Sequence, residues 1–347
     1  LAIDKDKHAS KTYRHNLTGT FIEKDISKWK PSKKLISQDI FLAHGSPPCQ
    51  SFSNANRYKG KDSKKDYLFL EMVKVIDKVK PKFVLLENVK GIKKVSEDIK
   101  YEFSEIGYDI KGILLDAKDF GIPQKRKRYF FIGIRRDVSS SIPERDLNRI
   151  SMYISQKKRK YTPLKHALWG LRKLEPKKEK GITERESKKT GFKEDRLVGG
   201  KEIPPYISNI IRSSPKNIVY NHMSRYHNTR DIKIYSKLPQ GANATHSSIQ
   251  DILSYKVGSF KDKYFKLDAN KPSKTITAHM DKDCNSYIHP KDNRGLTPRE
   301  AARIQSFPDT FEFKGPFTSW YRQIGNAVPP YLAQIIGESI IKLYKNI

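Results

Sequence analysis

The chain has 347 residues, enough for one large or two ordinary domains with real cores. Lys and Arg number 69 against 38 Asp and Glu, a formal net charge of +31, and that imbalance points to a polyanionic partner, nucleic acid first. A membrane surface fits poorly, because no apolar run approaches bilayer length and mean hydropathy is −0.72.

Residues 1–4 read as the end of a strand and residues 8–16 as a helix. An apolar run at residues 40–43 has strand length and leads into Gly45-Ser-Pro-Pro-Cys-Gln-Ser-Phe-Ser53. The two prolines forbid continued regular structure and place Cys49 in a stiff turn at a strand end. On that stretch alone, a reactive thiol and a buried small hydrophobe are equally supported. Residues 54–66 carry no apolar periodicity and read as a loop. Leu68, Met72, Val75, Ile76 and Val79 keep the helical period over residues 67–79.

Residues 83–86 are a fully apolar strand that ends in Glu87-Asn88. Two strand ends thus present a thiol and a carboxylate, where open α/β sheets gather their functional groups. That pairing favours the reactive reading of Cys49 over the bland one. A helix around residues 99–106 and strands at 108–115 and 129–134 continue the rhythm. The fold class is α/β, a doubly wound, mostly parallel sheet.

The rhythm stops near Arg136. Residues 157–201 hold 16 Lys and Arg against 6 Asp and Glu, a composition suited to phosphate contacts. Aromatic and basic residues interleave from 206 to 287, which reads as a second, smaller domain of irregular and β structure. Residues 331–344 are apolar enough for a closing helix. Two cysteines, Cys49 and Cys284, cannot build a zinc cluster alone, and His279, Asp281, Asp283 and Cys284 match no standard ligand spacing. No metal is expected. No secretory signal is visible, and a thiolate favours a reducing compartment.

Several blocks carry a family resemblance: Pro48-Cys49-Gln50 with Ser53, Glu87-Asn88-Val89, Gln124-Lys-Arg126-Lys-Arg128, Pro298-Arg-Glu-Ala-Ala-Arg-Ile-Gln-Ser-Phe-Pro308 and Gln323-Ile-Gly-Asn326-Ala-Val328. The chain resembles the DNA (cytosine-5)-methyltransferases of prokaryotic type. The resemblance implies a Rossmann-like catalytic domain at residues 1–140 and 318–347, with a target-recognition domain and hinge at 141–317. It implies methyl transfer from S-adenosylmethionine to carbon 5 of a cytosine flipped out of duplex DNA, in a restriction-modification or orphan enzyme. Cys49 would attack the ring, Glu87 would contact N3 and the exocyclic amine, Arg128 would support O2, and Arg126 would anchor the same site. Gln50, Ser53 and Thr275 would hold the DNA.

For the cofactor, the resemblance assigns Asp4 to the ribose and Asp25-Ile26 to the adenine edge. Leu68 and Phe69 would pack on the adenine face, with Pro48 and Asn326 completing the pocket. Lys5 stands where the family often has a bulky apolar residue. The family's glycine-rich cofactor segment is not found in these 347 residues; it is expected upstream of Leu1 or from another polypeptide, and weak cofactor binding is expected without it. A monomer in the cytoplasm, associated with the nucleoid, is the expected state. A tRNA-directed relative and a binding protein that has lost catalysis are the competing readings. The long basic segment weighs against the first, and the intact Cys49, Glu87 and Arg128 weigh against the second.

Overall fold

The computed structural model describes residues 1–47, 68–139, 142–181, 184–200, 202–211, 216–253 and 263–347. Pro48, Cys49, Gln50, Ser53 and the expected loop at 54–66 lie outside the described residues.

In chain order the first elements are β1 (Ala2–Asp4), α1 (Lys7–Asn16), β2 (Phe21–Glu23), α2 (Lys33–Ile36) and β3 (Leu42–Gly45). They are followed by α3 (Leu68–Val79), β4 (Phe83–Val89), α4 (Ser96–Glu105), β5 (Tyr108–Asp116), β6 (Lys127–Arg135) and α5 (Pro143–Gln156). Then come α6 (Leu164–Ala167), β7 (Gly191–Arg196), β8 (Ile218–Met223), α7 (Thr229–Lys237), α8 (Pro298–Ile304), α9 (Phe317–Asn326) and α10 (Pro330–Tyr344).

The main sheet has the order β3-β4-β6-β5, and β1 and β2 form a separate parallel pair. Alternation along β4 explains its continuous apolar run. Phe83 and Leu85 join α5 and α10 on one face, through Leu147, Ile150, Ile154, Leu332, Ile336 and Ile340. Val84 and Leu86 join α3 and α4 on the other, through Met72, Val73, Ile76, Ile99 and Phe103.

The sheet is less parallel than the sequence led us to expect. β3 and β4 pair in parallel, but β6 lies between β4 and β5 and is antiparallel to both. The physical reason is the connection. Residues 117–126 are too few to carry a crossover helix back along the sheet, so the chain must reverse after β5. Helix α5 shares the sheet's core although it lies beyond residue 140, while α9 packs in the second core through Phe317, Trp320, Tyr321 and Ile324.

That second core gathers α6, β8, α8 and α9. Its centre is the block from Pro298 to Pro308. Thr297 and Glu300 form a reciprocal capping box, and every residue of α8 is buried. Arg294 lies fully buried against Glu300, with both its Nη atoms at 2.7–2.8 Å from carboxylate oxygens, and against Asp292 at 2.8 Å. Arg303 makes a two-pronged pair with Asp309 at 2.7 Å on each side. Arg294→Leu would leave two carboxylates buried without their counterion. The expected loss is about 3–5 kcal/mol, read from the urea midpoint, because breaking a buried pair from one side strands the remaining charge. An unchanged midpoint would show that Arg294 is dispensable.

Three histidines around this block are held neutral. His227 Nε2 accepts from Gly295 N at 3.1 Å, and its Nδ1 sits 3.0 Å from Tyr235 Oη. His289 Nδ1 accepts from Asp292 N at 2.8 Å, and His222 Nε2 donates to Arg172 O at 2.8 Å. Burial pulls all three pKa values down, to about 3 for His227 and about 4 for His289. The folded chain therefore excludes protons that the unfolded chain takes up near pH 6.5. This contribution to stability is complete above about pH 6.5 and is lost as pH falls toward 4, by about 1.4 kcal/mol per pH unit for each excluded proton. Urea midpoints measured from pH 7.5 to 5 should fall, and a flat profile would contradict the assignment.

Candidate active site

The end of β3 and the end of β4 meet in register, with Gly45 opposite Leu86. Glu87 and Asn88 follow at once on β4. Asn88 Nδ2 donates to Pro47 O at 3.0 Å, and Asn88 Oδ1 accepts from Val89 N at 2.8 Å. The side chain of Asn88 thus ties residue 47 to the strand that bears Glu87. Cys49 follows two residues later in the sequence and lies outside the described residues.

Glu87 is buried, and its Oε1 stands 3.1 Å from Arg128 Nε. The antiparallel register places Arg128 opposite Val89, which brings a guanidinium from a strand 41 residues away over the carboxylate. Burial lowers the pKa of Arg128, and the Glu87 charge works against that shift.

Arg126, expected to anchor the same site, is held by the backbone around it. It is 1 % exposed and donates to three backbone carbonyls, Ile276 O at 2.6 Å, Gly325 O at 3.0 Å and Ala327 O at 2.9 Å. Its described hydrogen bonds make it a strut between β6, the 276 segment and the end of α9. The carbonyl groups it holds flank Asn326. Gln124 works alongside, donating to Gln305 Oε1 and accepting from Ile276 N, each at 2.7 Å. Gly325 allows the close approach this strut secures, because a Cβ there would lie 2.2 Å from Ala278 N.

Thr275 lies beside this strut, and its hydroxyl donates to Lys125 O at 2.6 Å. Asp116, which the sequence reading passed over, accepts from Arg126 N at 3.0 Å and secures the turn before β6. A lone acid at a strand end gives no signal of such a role.

Four of the expected cofactor residues, Asp4, Lys5, Asp25 and Ile26, lie at or just beyond the ends of β1 and β2. Asp4 Oδ1 accepts from Asp6 N at 2.9 Å, and Asp6 caps α1 by accepting from His8 N at 2.7 Å. Lys5 Nζ lies 3.3 Å from Asp25 Oδ2. Asp25 also caps the turn Ile26–Lys28, and hydrogen bonds from Ser27 lower its pKa. Helix α3, which Leu68 opens, packs against that turn.

Part of the basic segment at 157–201 is structural. Lys177 is buried and donates to Arg185 O at 2.8 Å, Arg172 pairs with Asp195 at 2.9 Å, and Lys193 pairs with Glu184 at 3.2 Å. Among the described residues, no group of three or more His, Cys, Asp and Glu is placed to hold a metal. No helix of the described residues is long and apolar enough to cross a membrane.

Comparison with known proteins shows which family the chain belongs to. The chain is similar to the Type II methyltransferase M.DdeI of Desulfomicrobium norvegicum, 34% identical over 374 residues, covering all of this chain and 84% of the relative. It is 31% identical over 334 residues to the Type II methyltransferase M.Bpa9945I of Bacillus paralicheniformis, covering 88% of this chain and 71% of that one. In structure it resembles a candidate DNA modification methyltransferase encoded within an Escherichia coli prophage, with a TM-score of 0.71 at 24% identity over 99% of this chain and 92% of that chain. The last likeness speaks for the fold, an α/β methyltransferase fold. The model of the C-5 cytosine-specific DNA methylase family matches residues 1–342, and the chain belongs to that family.

Proposed function

We propose that this DNA cytosine-5 methyltransferase uses S-adenosylmethionine and acts on a cytosine flipped out of duplex DNA, through a covalent adduct with Cys49, as the modification half of a restriction system. The observation that carries the reading is the buried Glu87–Arg128 pair beside the tethered Pro47. Addition of the Cys49 thiolate to ring carbon 6 turns carbon 5 into a nucleophile. Charge then moves onto N3 and O2, where Glu87 and Arg128 would meet it. After methyl transfer, the proton on carbon 5 leaves to a base and the thiolate departs.

The residues present suit the cofactor. Asp4 and Asp25 stand at the carboxyl ends of two parallel strands, where α/β sheets bind ligands, and Asp4 is exposed there. Asp4, Asp25, Ile26, Leu68 and Asn326 would hold it, with Lys5 fixing Asp25. When bound, the cofactor supplies a methyl group on a sulfonium. The second core, with its exposed lysines, would read and grip the DNA, with Gln50 and Ser53 near the flipped base and Thr275 at the DNA backbone.

The test is duplex DNA carrying 5-fluorocytosine in the target sequence, incubated with the full polypeptide and cofactor. Fluorine cannot leave as a cation, so the adduct should persist as a band that survives denaturation. Methylated cytosine formed without any trapped adduct would overturn the covalent route. Trapping on RNA and not on DNA would favour the tRNA-directed reading.

A further inference from the structure

Three consecutive residues, Glu312, Phe313 and Lys314, have their backbone groups satisfied by side chains from three separate elements, α1, β8 and α9. Glu312 N donates to Asn16 Oδ1 at 2.9 Å, and Glu312 O accepts from Asn16 Nδ2 at 2.8 Å. Phe313 N donates to Asn221 Oδ1 at 2.9 Å, and Phe313 O accepts from Asn221 Nδ2 at 3.1 Å. Lys314 N donates to Thr12 Oγ1 at 2.9 Å, and Lys314 O accepts from Gln323 Nε2 at 3.0 Å.

The geometry follows from two repeats. In an extended segment alternate residues turn their polar groups to opposite sides, so 312 and 314 face α1 while 313 faces β8. Asn16 and Thr12 are four apart on a helix, about 6.0 Å of rise. Residues 312 and 314 are two apart on an extended chain, about 6.7 Å. The match lets one helix face pair with one strand edge. His15 Nε2 lies 2.8 Å from Glu312 Oε2. Gly315, with φ +96°, lets His8 lie against the same strap, because a Cβ there would sit 2.7 Å from His8 Nδ1. On the other side Asn221 is 1 % exposed and holds φ +63°, a conformation that asparagine tolerates better than most residues with a side chain.

We propose that Asn16, Thr12 and Asn221 are positioning residues for methyl transfer, which fix the cofactor end of the enzyme relative to its DNA-reading core. The proposal rests on the function given above. Helix α1 starts at the Asp6 cap, two residues after Asp4. The strap runs directly into α9, which ends at Asn326. The antiparallel pair β7–β8 belongs to the second core. One clamped strap therefore joins both ends of the cofactor pocket to the part that receives DNA. A strap loosened from either side leaves each partial site intact but no longer aligned.

The test measures S-adenosylhomocysteine binding to the full polypeptide by calorimetry, without DNA and with saturating unmethylated duplex. Wild type should bind about 5-fold or more tighter with DNA, the lower end of ordinary coupling between sites. Asn16→Ala, Asn221→Gly and Thr12→Val should bind within about 2-fold of wild type without DNA and lose most of the tightening with it. Thr12→Ser keeps the hydroxyl and should retain the tightening. Variants that keep full tightening would overturn the proposal. So would a wild type without any tightening, or a Thr12→Ser that behaves as Thr12→Val does. A wild type that transfers no methyl group to DNA would instead defeat the proposed function.

Discussion

Replacing Cys49 with serine is expected to abolish methyl transfer while leaving DNA binding largely intact. A serine hydroxyl is not ionised near neutral pH, and the thiolate is the nucleophile the chemistry needs. Removing a covalent nucleophile commonly costs on the order of 10⁴-fold or more in turnover, because the remaining groups cannot replace the bond it forms. The surroundings should survive the change. Asn88 holds Pro47 through its backbone carbonyl, so the approach to residue 49 does not depend on the thiol. Tritium transfer from labelled cofactor into duplex DNA measures the first half, and a gel-shift titration measures the second. Turnover within about 10-fold of wild type would remove Cys49 from the mechanism, since that loss is far below the cost of a missing nucleophile. Loss of DNA binding in step with turnover would recast Cys49 as a structural residue.

The sequence made the framework readable where one signal sufficed. Residues 83–86 are apolar without alternation because both faces of β4 are covered, and that can be read directly. The helix at 331–344 was legible from its apolar content, and α10 indeed closes the sheet core. Short elements gave no such signal: β2 has three residues and α2 has four. The insertion of β6 between β4 and β5 depends on pairing partners far apart in the chain, which local pattern does not encode.

The same limit governs the site. Glu87 stood out as an acid at a strand end, but its partner Arg128 is defined only by antiparallel register. Arg126 and Arg128 look equivalent in Gln124-Lys-Arg-Lys-Arg. One holds a carboxylate and the other holds three carbonyls, because Arg128 lies on β6 opposite Val89 while Arg126 stands before the strand begins. The strap at 312–314 was invisible for a related reason. Asn16, Thr12 and Asn221 are ordinary polar residues until the fold sets a backbone against them.

Glu87→Gln should lower turnover by roughly one to four orders of magnitude, the range for a lost acid-base group or a lost charge in a transition state. Glutamine keeps the size of the side chain and can still accept a hydrogen bond from Arg128 Nε, so the strand end should keep its shape. What it loses is the charge that balances a guanidinium whose side chain is 15 % exposed. Two explanations of the slow variant must therefore be separated. If Glu87 acts on the base, the loss falls on kcat, KM for DNA changes little, and the pH dependence of kcat loses one limb. If Glu87 only neutralises Arg128, the loss appears as a lower urea midpoint and a raised KM, with the pH profile unchanged. Arg128→Lys helps to decide. A lysine keeps the charge but not the planar donor geometry, so it should preserve stability while still slowing turnover if the guanidinium supports ring O2. A Glu87→Gln enzyme with near-native kcat would exclude Glu87 from the chemistry and leave the buried pair as a structural feature of the strand end.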